Sequence, residues 1–110
     1  MNIQIFGVKK CKNSRAAERF FKERNINFHF VDLNERTMSK GEFDKITAKI
    51  KAEDLIDTNS SYFKKNGYEH RMFDIGEELF EHQELFLTPI VRNGNSVSAG
   101  FAPEIWKTWL

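Results

Sequence analysis

The first third of the chain alternates polar and apolar positions in two places. Residues 2–7 alternate and end on a glycine, and residues 26–33 place apolar side chains at every second position. Alternation at this period indicates β-strands. Between them, residues 15–24 repeat small and aromatic apolar side chains at helical spacing, and Asn25 suits a left-handed stop. The pattern predicts a strand–helix–strand unit with parallel strands and a right-handed crossover.

The middle of the chain carries helical signals instead. Ser39 and Glu42 have the spacing of a capping box, and apolar residues follow them at helical spacing. Asp74 and Glu77 repeat that spacing, and Gly67 ends a short helical pattern that begins at residue 62. These signals predict a cluster of short helices between about residues 39 and 84.

The last part of the chain returns to strand signals. Residues 89–92, a turn at 93–95 and residues 96–100 indicate an antiparallel hairpin. Pro103 then opens a final helix, and we expect Trp106, Trp109 and Leu110 to pack it onto the sheet. The order of elements is that of a thioredoxin-like fold. We therefore predict one α/β domain over residues 1–110, with a mixed four-stranded sheet and a helical insertion at about 36–86 between its βαβ and ββα halves.

Composition and charge narrow the class of protein. The 110 residues are 40% hydrophobic and include eleven Phe, so a packed interior is expected. A net charge of +1 gives no global electrostatic reason to bind nucleic acid. No apolar run reaches the length of a membrane span, and one cysteine cannot form an internal disulfide. We expect a cytoplasmic protein without direct nucleic acid binding or membrane association.

The lone cysteine lies between a predicted strand and a predicted helix. Free amides and the dipole at a helix N-terminus favour an anion, and Lys9, Lys10, Lys12 and Arg15 add positive charge near Cys11. Both effects lower a thiol pKa, and the thiolate is the nucleophilic form. The alternative is an inert cysteine packed as a small hydrophobe, but charged neighbours favour the reactive thiolate.

The Cys-x-x-Ser pattern limits what this thiolate can do alone. A second cysteine at position 14 would resolve a mixed disulfide within the chain, and Ser14 cannot. A catalytic cycle would therefore need a thiol from glutathione or from another protein. Ser14 is expected either to donate a hydrogen bond to the sulfur or to cap the helix.

Several motifs, taken in order, resemble those of one family. Cys-x-x-Ser-Arg at 11–15 precedes an amphipathic helix, and Leu-Ile-Asp-Thr-Asn at 55–59 precedes Lys-Lys-Asn-Gly at 64–67. Leu-Thr-Pro-Ile-Val follows at 87–91, and Gly100-Phe101 with Trp106 closes the chain. In this the chain resembles the ArsC/Spx (arsenate reductase-like) family of thioredoxin-fold proteins. The resemblance implies that the Thr88–Pro89 bond is cis and faces Cys11.

The departures from that family matter as much as the match. Its arsenate reductases hold the oxyanion with arginines, one in the insertion, one directly before the proline and one near the closing segment. The matching places here hold Asp57 or Asn59, Thr88 and Phe101. None of these side chains replaces the bidentate chemistry of a guanidinium. We therefore do not expect arsenate reduction, and the chain is closer to the non-arsenate members.

The candidate site residues follow from these motifs. The candidate catalytic residues are Cys11, Ser14 and Arg15. The candidate substrate-binding residues are Lys12, Asn13, Thr88, Pro89 and Arg92. No metal site is predicted, because His29, His70 and His82 are scattered, and His29 is expected on a half-exposed strand edge.

Three functions are compatible with the sequence. The preferred hypothesis is a glutaredoxin-like monothiol reductase without a bound cofactor, using glutathione as co-substrate or acting on a protein thiol. The alternative, of another class, is a non-catalytic regulator like Spx that binds RNA polymerase. A third is a degenerate family member whose thiol has an ordinary pKa and no present role.

Overall fold

A four-stranded sheet forms the centre of the protein. The computed structural model describes all residues from 1 to 110. The strands are β1 (Ile3–Gly7), β2 (Phe28–Asp32), β3 (Ile90–Asn93) and β4 (Ser96–Ala99), arranged in the order β2-β1-β3-β4. β1 and β2 are parallel, whereas β1–β3 and β3–β4 are antiparallel. The mixed α/β sheet expected from the order of elements is thereby confirmed.

Five α-helices accompany the sheet. They are α1 (Lys12–Glu23), α2 (Lys40–Thr47), α3 (Ser61–Lys65), α4 (Ile75–Glu81) and α5 (Pro103–Trp106). Single 3-10 turns lie at Ala52–Asp54, Tyr68–His70, Gln83–Leu85 and Lys107–Trp109. Helices α2, α3 and α4 all lie between β2 and β3, where the sequence predicts a helical insertion. None of the helices is long and apolar enough to cross a lipid bilayer.

The sheet separates two apolar cores because side chains alternate along each strand. Ile5 and Val91 belong to one core, which they share with Phe21 of α1 and Trp106 of α5. The neighbouring strand residues Phe6 and Ile90 belong to the other core, which the insertion completes with Ile46, Leu55 and Leu79. Both faces of the sheet are therefore covered.

Local capping signals fix several helix starts and ends. Ser39 and Glu42 form the predicted capping box, with both reciprocal hydrogen bonds present. Asp74 accepts from the amide of Glu77 at 2.9 Å and so caps α4. Asn25 takes the left-handed conformation just after α1, with φ of 56°. The predicted start or stop signals at these positions are confirmed.

The final helix, α5, closes the core that contains Ile5 and Val91 through Trp106. This side chain is fully buried, and its Nε1 donates a 2.7 Å hydrogen bond to Ser98 Oγ on β4. Trp109 packs at the margin of the same core. Leu110, which we expected to pack as well, is 58% exposed. That expectation was wrong, because Leu110 follows the 3-10 turn Lys107–Trp109 and Trp109 is the last residue that packs against this core.

Candidate active site around Cys11

Cys11 is the N-cap residue of α1 and follows the loop that leaves β1. Its backbone is extended, with φ of −76° and ψ of 120°. The Cys11 amide donates to the Val8 carbonyl at 2.9 Å, and the Cys11 carbonyl accepts from the Arg15 amide at 3.1 Å. The thiol therefore stands at the positive end of a twelve-residue helix, as predicted.

A close approach between β1 and α1 holds this loop in place. A Cβ atom at Gly7 would lie only 2.5 Å from Ser14 Oγ, so the helix packs against the strand where the strand has no side chain. Ser14 is fully buried, and its hydroxyl accepts a 3.2 Å hydrogen bond from the Val8 amide. Of the two roles expected for Ser14, capping is wrong, because the N-cap is Cys11 and Ser14 is already helical.

The second wall of the site comes from the segment before β3. The Thr88–Pro89 bond is cis, as the family resemblance implies. The Thr88 hydroxyl donates a 3.2 Å hydrogen bond to Cys11 Sγ, and the Thr88 carbonyl lies 3.9 Å from the same sulfur. The Thr88 side of this peptide bond therefore does face Cys11, and Pro89 is buried.

The environment lowers the pKa of Cys11. Partial burial is the largest single influence and acts to raise the thiol pKa, because it disfavours the charged form. The hydroxyls of Ser14 and Thr88 and the amides of Ser14 and Asn13 act together in the opposite sense and outweigh it. The causes of the lowered pKa are thus hydrogen-bond donors, and the Thr88 hydroxyl is the one that lies 3.2 Å from the sulfur.

Several positive side chains are close to Cys11 in the sequence. Lys10, Lys12 and Arg15 are exposed and form no ion pair with a carboxylate of the chain. Lys9 lies 3.4 Å from Glu35, but both side chains are about 70% exposed, so this ion pair contributes little. Asn13 is exposed in the first turn of α1. This part of the sequence is thus rich in exposed positive charge, but no lysine or arginine is among the causes of the lowered Cys11 pKa.

Arg92 is not part of this site. It pairs with Gln4 in the β1–β3 ladder, whereas the thiol lies beyond the opposite end of β1. The Arg92 guanidinium donates a 3.0 Å hydrogen bond to the Gln4 side chain. The sequence prediction of Arg92 as a substrate-binding residue at the thiol was therefore wrong, because the residue lies too far along β3 from Thr88.

The side chains that commonly bind metals are dispersed. No group of three or more His, Cys, Asp or Glu side chains is placed to hold a metal ion, and His29 is exposed on the edge strand β2.

The sequence analysis missed the role of Gly7 in positioning the loop, because there the residue marked only the end of a strand. A glycine seven positions before a small buried residue gives no local signal of a close contact.

Comparison with known sequences and structures identifies the family. The sequence model of the ArsC family matches residues 6–109, which is nearly the whole chain. The chain belongs to the ArsC family. Among curated protein sequences none matches it significantly.

Several solved structures share this ArsC fold. An arsenate reductase from Vibrio cholerae has a TM-score of 0.83 at 18% identity, covering 100% of this chain and 98% of its own. An ArsC family related protein from Bacteroides fragilis has a TM-score of 0.84 at 18% identity, with the same coverage. An arsenate reductase related protein from Brucella melitensis has a TM-score of 0.72 at 17% identity, covering 99% and 94%. At these identities the likeness establishes the thioredoxin-like fold.

The residues at the ArsC arginine positions have other contacts. Asp57 accepts from the Asn59 amide at 2.9 Å in a local turn. Phe101 is 53% exposed and packs edge-on against Trp106 with ring centroids 5.7 Å apart. The Gly100 amide bonds the Pro89 carbonyl at 2.8 Å, so Phe101 follows a residue in contact with the cis proline. A hydroxyl and an aromatic ring thus occupy two positions where the family's arsenate reductases carry cations.

Proposed function

We propose that this ArsC family member is a thiol-dependent redox protein whose nucleophile is the Cys11 thiolate. The observation that carries the proposal is the 3.2 Å hydrogen bond from the Thr88 hydroxyl to Cys11 Sγ, on the residue at the N-cap position of α1. Donors aimed at a sulfur favour its ionised form, and the thiolate attacks disulfides. Ser14 and Arg15 support the site, Ser14 by holding the loop and Arg15 by its positive charge.

The proposed reaction is the reduction of a mixed disulfide between glutathione and a substrate thiol. The Cys11 thiolate attacks the glutathione sulfur, so that a Cys11–glutathione disulfide forms and the substrate leaves as a thiolate. A second glutathione thiolate then attacks the glutathione sulfur bound to Cys11. Oxidised glutathione leaves, the Cys11 thiolate returns, and two electrons have passed from glutathione to the substrate.

Glutathione is favoured as the source of the second thiol because the chain contains one cysteine. Its two carboxylates suit the exposed positive charge that follows Cys11 in the sequence, where Lys12 and Asn13 lie in the first turn of α1. In this proposal Thr88 and Pro89 align the backbone of the bound disulfide. A protein thiol could take the place of glutathione in the second step. This chemistry belongs in a reducing compartment, so we propose a cytoplasmic location.

Arsenate is not the proposed substrate. The site has no arginine directly before the cis proline or at the closing segment, where Thr88 and Phe101 lie. The exposed Phe101 ring offers a bound oxyanion neither charge nor a hydrogen-bond donor. Arg15 and the exposed lysines remain, but they do not restore the missing guanidinium groups.

The test is turnover of a glutathionylated peptide, with arsenate as a parallel substrate. We expect the purified protein to release the peptide thiol in the presence of glutathione, and Cys11→Ser to abolish the release. The control is Lys65→Gln on α3, an exposed residue outside the proposed site residues, which should retain full activity. Activity that survives in Cys11→Ser would refute the proposal, and efficient arsenate reduction would refute the choice of substrate.

If the protein folds but is inactive, the regulator alternative is the next hypothesis to test. In that case RNA polymerase should be retained from a bacterial extract by the immobilised protein. Absence of enrichment over an unrelated thioredoxin-fold protein would count against that alternative and leave the degenerate family member.

A further inference from the structure

Arg92 is placed away from the thiol, and a chain of hydrogen bonds fixes its side chain. Its Nη1 donates to Gln4 Oε1 at 3.0 Å, and Gln4 Nε2 donates to Glu42 Oε2 at 3.2 Å. Glu42 in turn accepts two hydrogen bonds from Arg36, at 2.9 and 3.1 Å. The partner of Arg92 is a neutral amide. The hydrogen bond therefore holds the guanidinium in place without neutralising its positive charge.

The Glu42 carboxylate, which ends this series of hydrogen bonds, is already paired with another cation. The Arg36 guanidinium lowers the pKa of Glu42 to about 2, so Glu42 is ionised and paired with Arg36 at neutral pH. Arg92 forms no ion pair of its own. The half-buried Arg92 therefore carries a positive charge that no carboxylate of the chain neutralises.

Arg92 lines a cavity of about 210 Å³ together with two further cations, Lys45 and Lys49. Neither lysine forms an ion pair, and no carboxylate lines the cavity. The cavity lies between the end of α2 and the turn that joins β3 to β4. Three uncompensated positive charges in one concave site create a local field that attracts an anion.

The turn adds hydrogen-bond donors to the same place. Gly94 and Asn95 both line the cavity, and neither of their amides donates a hydrogen bond within the chain. Gly94 has a φ of 58°, which a glycine adopts without strain. Successive free amides in a turn are a common element of anion-binding concavities.

We propose that this basic pocket, formed by Lys45, Lys49, Arg92, Gly94 and Asn95, binds the phosphate group of a small phosphorylated molecule. A planar guanidinium engages two phosphate oxygens at once, and lysines add point charges around them. The volume suits a phosphate group with a small organic remainder. The pocket is separate from Cys11, which lies beyond the other end of β1, so the proposal stands independently of the proposed redox function.

The test is an amide-resolved NMR titration of the full chain with inorganic phosphate and with glycerol 3-phosphate, using glycerol as the uncharged control. We expect saturable shifts at Gly94, Asn95 and Val97, with a dissociation constant of about 1 mM or lower. Arg92→Gln should weaken binding by about tenfold or more. The double variant Lys45→Gln/Lys49→Gln should do the same, and its exposed side chains leave the fold intact.

A matched control separates this pocket from general attraction to a cation. Lys64→Gln/Lys65→Gln removes the same charge from the exposed end of α3 and should leave the dissociation constant unchanged. Equal weakening in both double variants would overturn the proposal. It would also be overturned by shifts confined to Asn13 and Ser14, which would assign phosphate to the helix end beside Cys11, or by no saturable shift with either phosphate.

Discussion

The hydroxyl of Thr88 donates a hydrogen bond of 3.2 Å to the sulfur of Cys11, although the two residues are 77 positions apart in sequence. The antiparallel pairing of β1 with β3 brings them together, since Cys11 follows the end of β1 and Thr88 precedes the start of β3. A donor aimed at the sulfur favours the thiolate. The reactivity of the thiol therefore depends on the sheet as well as on the helix.

Replacing Thr88 by Val should raise the pKa of Cys11. Val keeps the shape of the side chain but removes the hydroxyl, and a hydrogen bond to a charged group contributes about 1.5 kcal/mol or more. Below the thiol pKa the alkylation rate follows the thiolate fraction, so it should fall about tenfold. The measurement is the pH dependence of iodoacetamide alkylation at Cys11.

Thr88→Ser is the matched control for that variant, because it retains the hydroxyl. It should keep most of the alkylation rate of the parent protein at neutral pH. An unchanged rate in Thr88→Val would show instead that the helix N-terminus alone sets the thiol pKa.

Folding stability should depend on pH through Cys11. The pKa of this thiol is lowered in the folded protein. The thiolate therefore stabilises the fold fully above the unfolded thiol pKa of about 8.5, and this contribution is lost as pH falls through the folded pKa. The free energy of unfolding should rise with pH across that window by more in the parent protein than in Cys11→Ser.

Urea unfolding under reducing conditions at several pH values checks this expectation. The quantity to follow is the difference in free energy of unfolding between the parent protein and Cys11→Ser. A difference that stays constant with pH would mean that the thiol titrates alike in the folded and unfolded chains.

Features set by nearby residues were predictable from the sequence. The capping box at Ser39 and Glu42 involves two residues three positions apart, and Asn25 takes its left-handed conformation from local geometry. The same holds for the position of Cys11 at the start of α1. Such features depend on spacing and side-chain chemistry, which one sequence displays.

Features set by the pairing of distant segments were not predictable in the same way. The pleat and register of β3 decide where Arg92 lies, and its pairing with Gln4 places it away from the thiol. The contact between Gly7 and Ser14 likewise depends on how α1 packs against β1. The cis bond before Pro89 was expected only through the family resemblance, because most X–Pro bonds are trans.

Trp106→Phe should destabilise the protein by about 2 to 4 kcal/mol. The indole is fully buried against Phe20 and Phe21, and its Nε1 is the donor to the buried hydroxyl of Ser98. The smaller ring leaves a cavity and leaves that hydroxyl without its partner. Trp109→Phe, at the margin of the core, should cost less than about 1 kcal/mol. Chemical unfolding of both variants gives the comparison, and equal losses would argue against the role assigned to the Trp106–Ser98 bond.

Two glycine substitutions should change stability in opposite directions. A Cβ at Gly7 would meet Ser14 Oγ at 2.5 Å and Phe30 at 3.2 Å, so Gly7→Ala must push α1 away from β1. Overpacking of this kind costs about 1 to 3 kcal/mol. A Cβ at Gly41 in α2 would meet nothing within 4 Å. Gly41→Ala should therefore stabilise the protein by about 0.5 to 1 kcal/mol, because alanine loses less backbone freedom in a helix.

The Gly7→Ala variant also tests how the thiol is positioned. Moving the first turn of α1 displaces Ser14 from the Val8 amide and changes the distance from Cys11 to the Thr88 hydroxyl. We expect slower alkylation of Cys11 at neutral pH in Gly7→Ala and an unchanged rate in Gly41→Ala. Lower stability together with an unchanged alkylation rate would show that the close approach at Gly7 supports the fold without setting the geometry of the thiol.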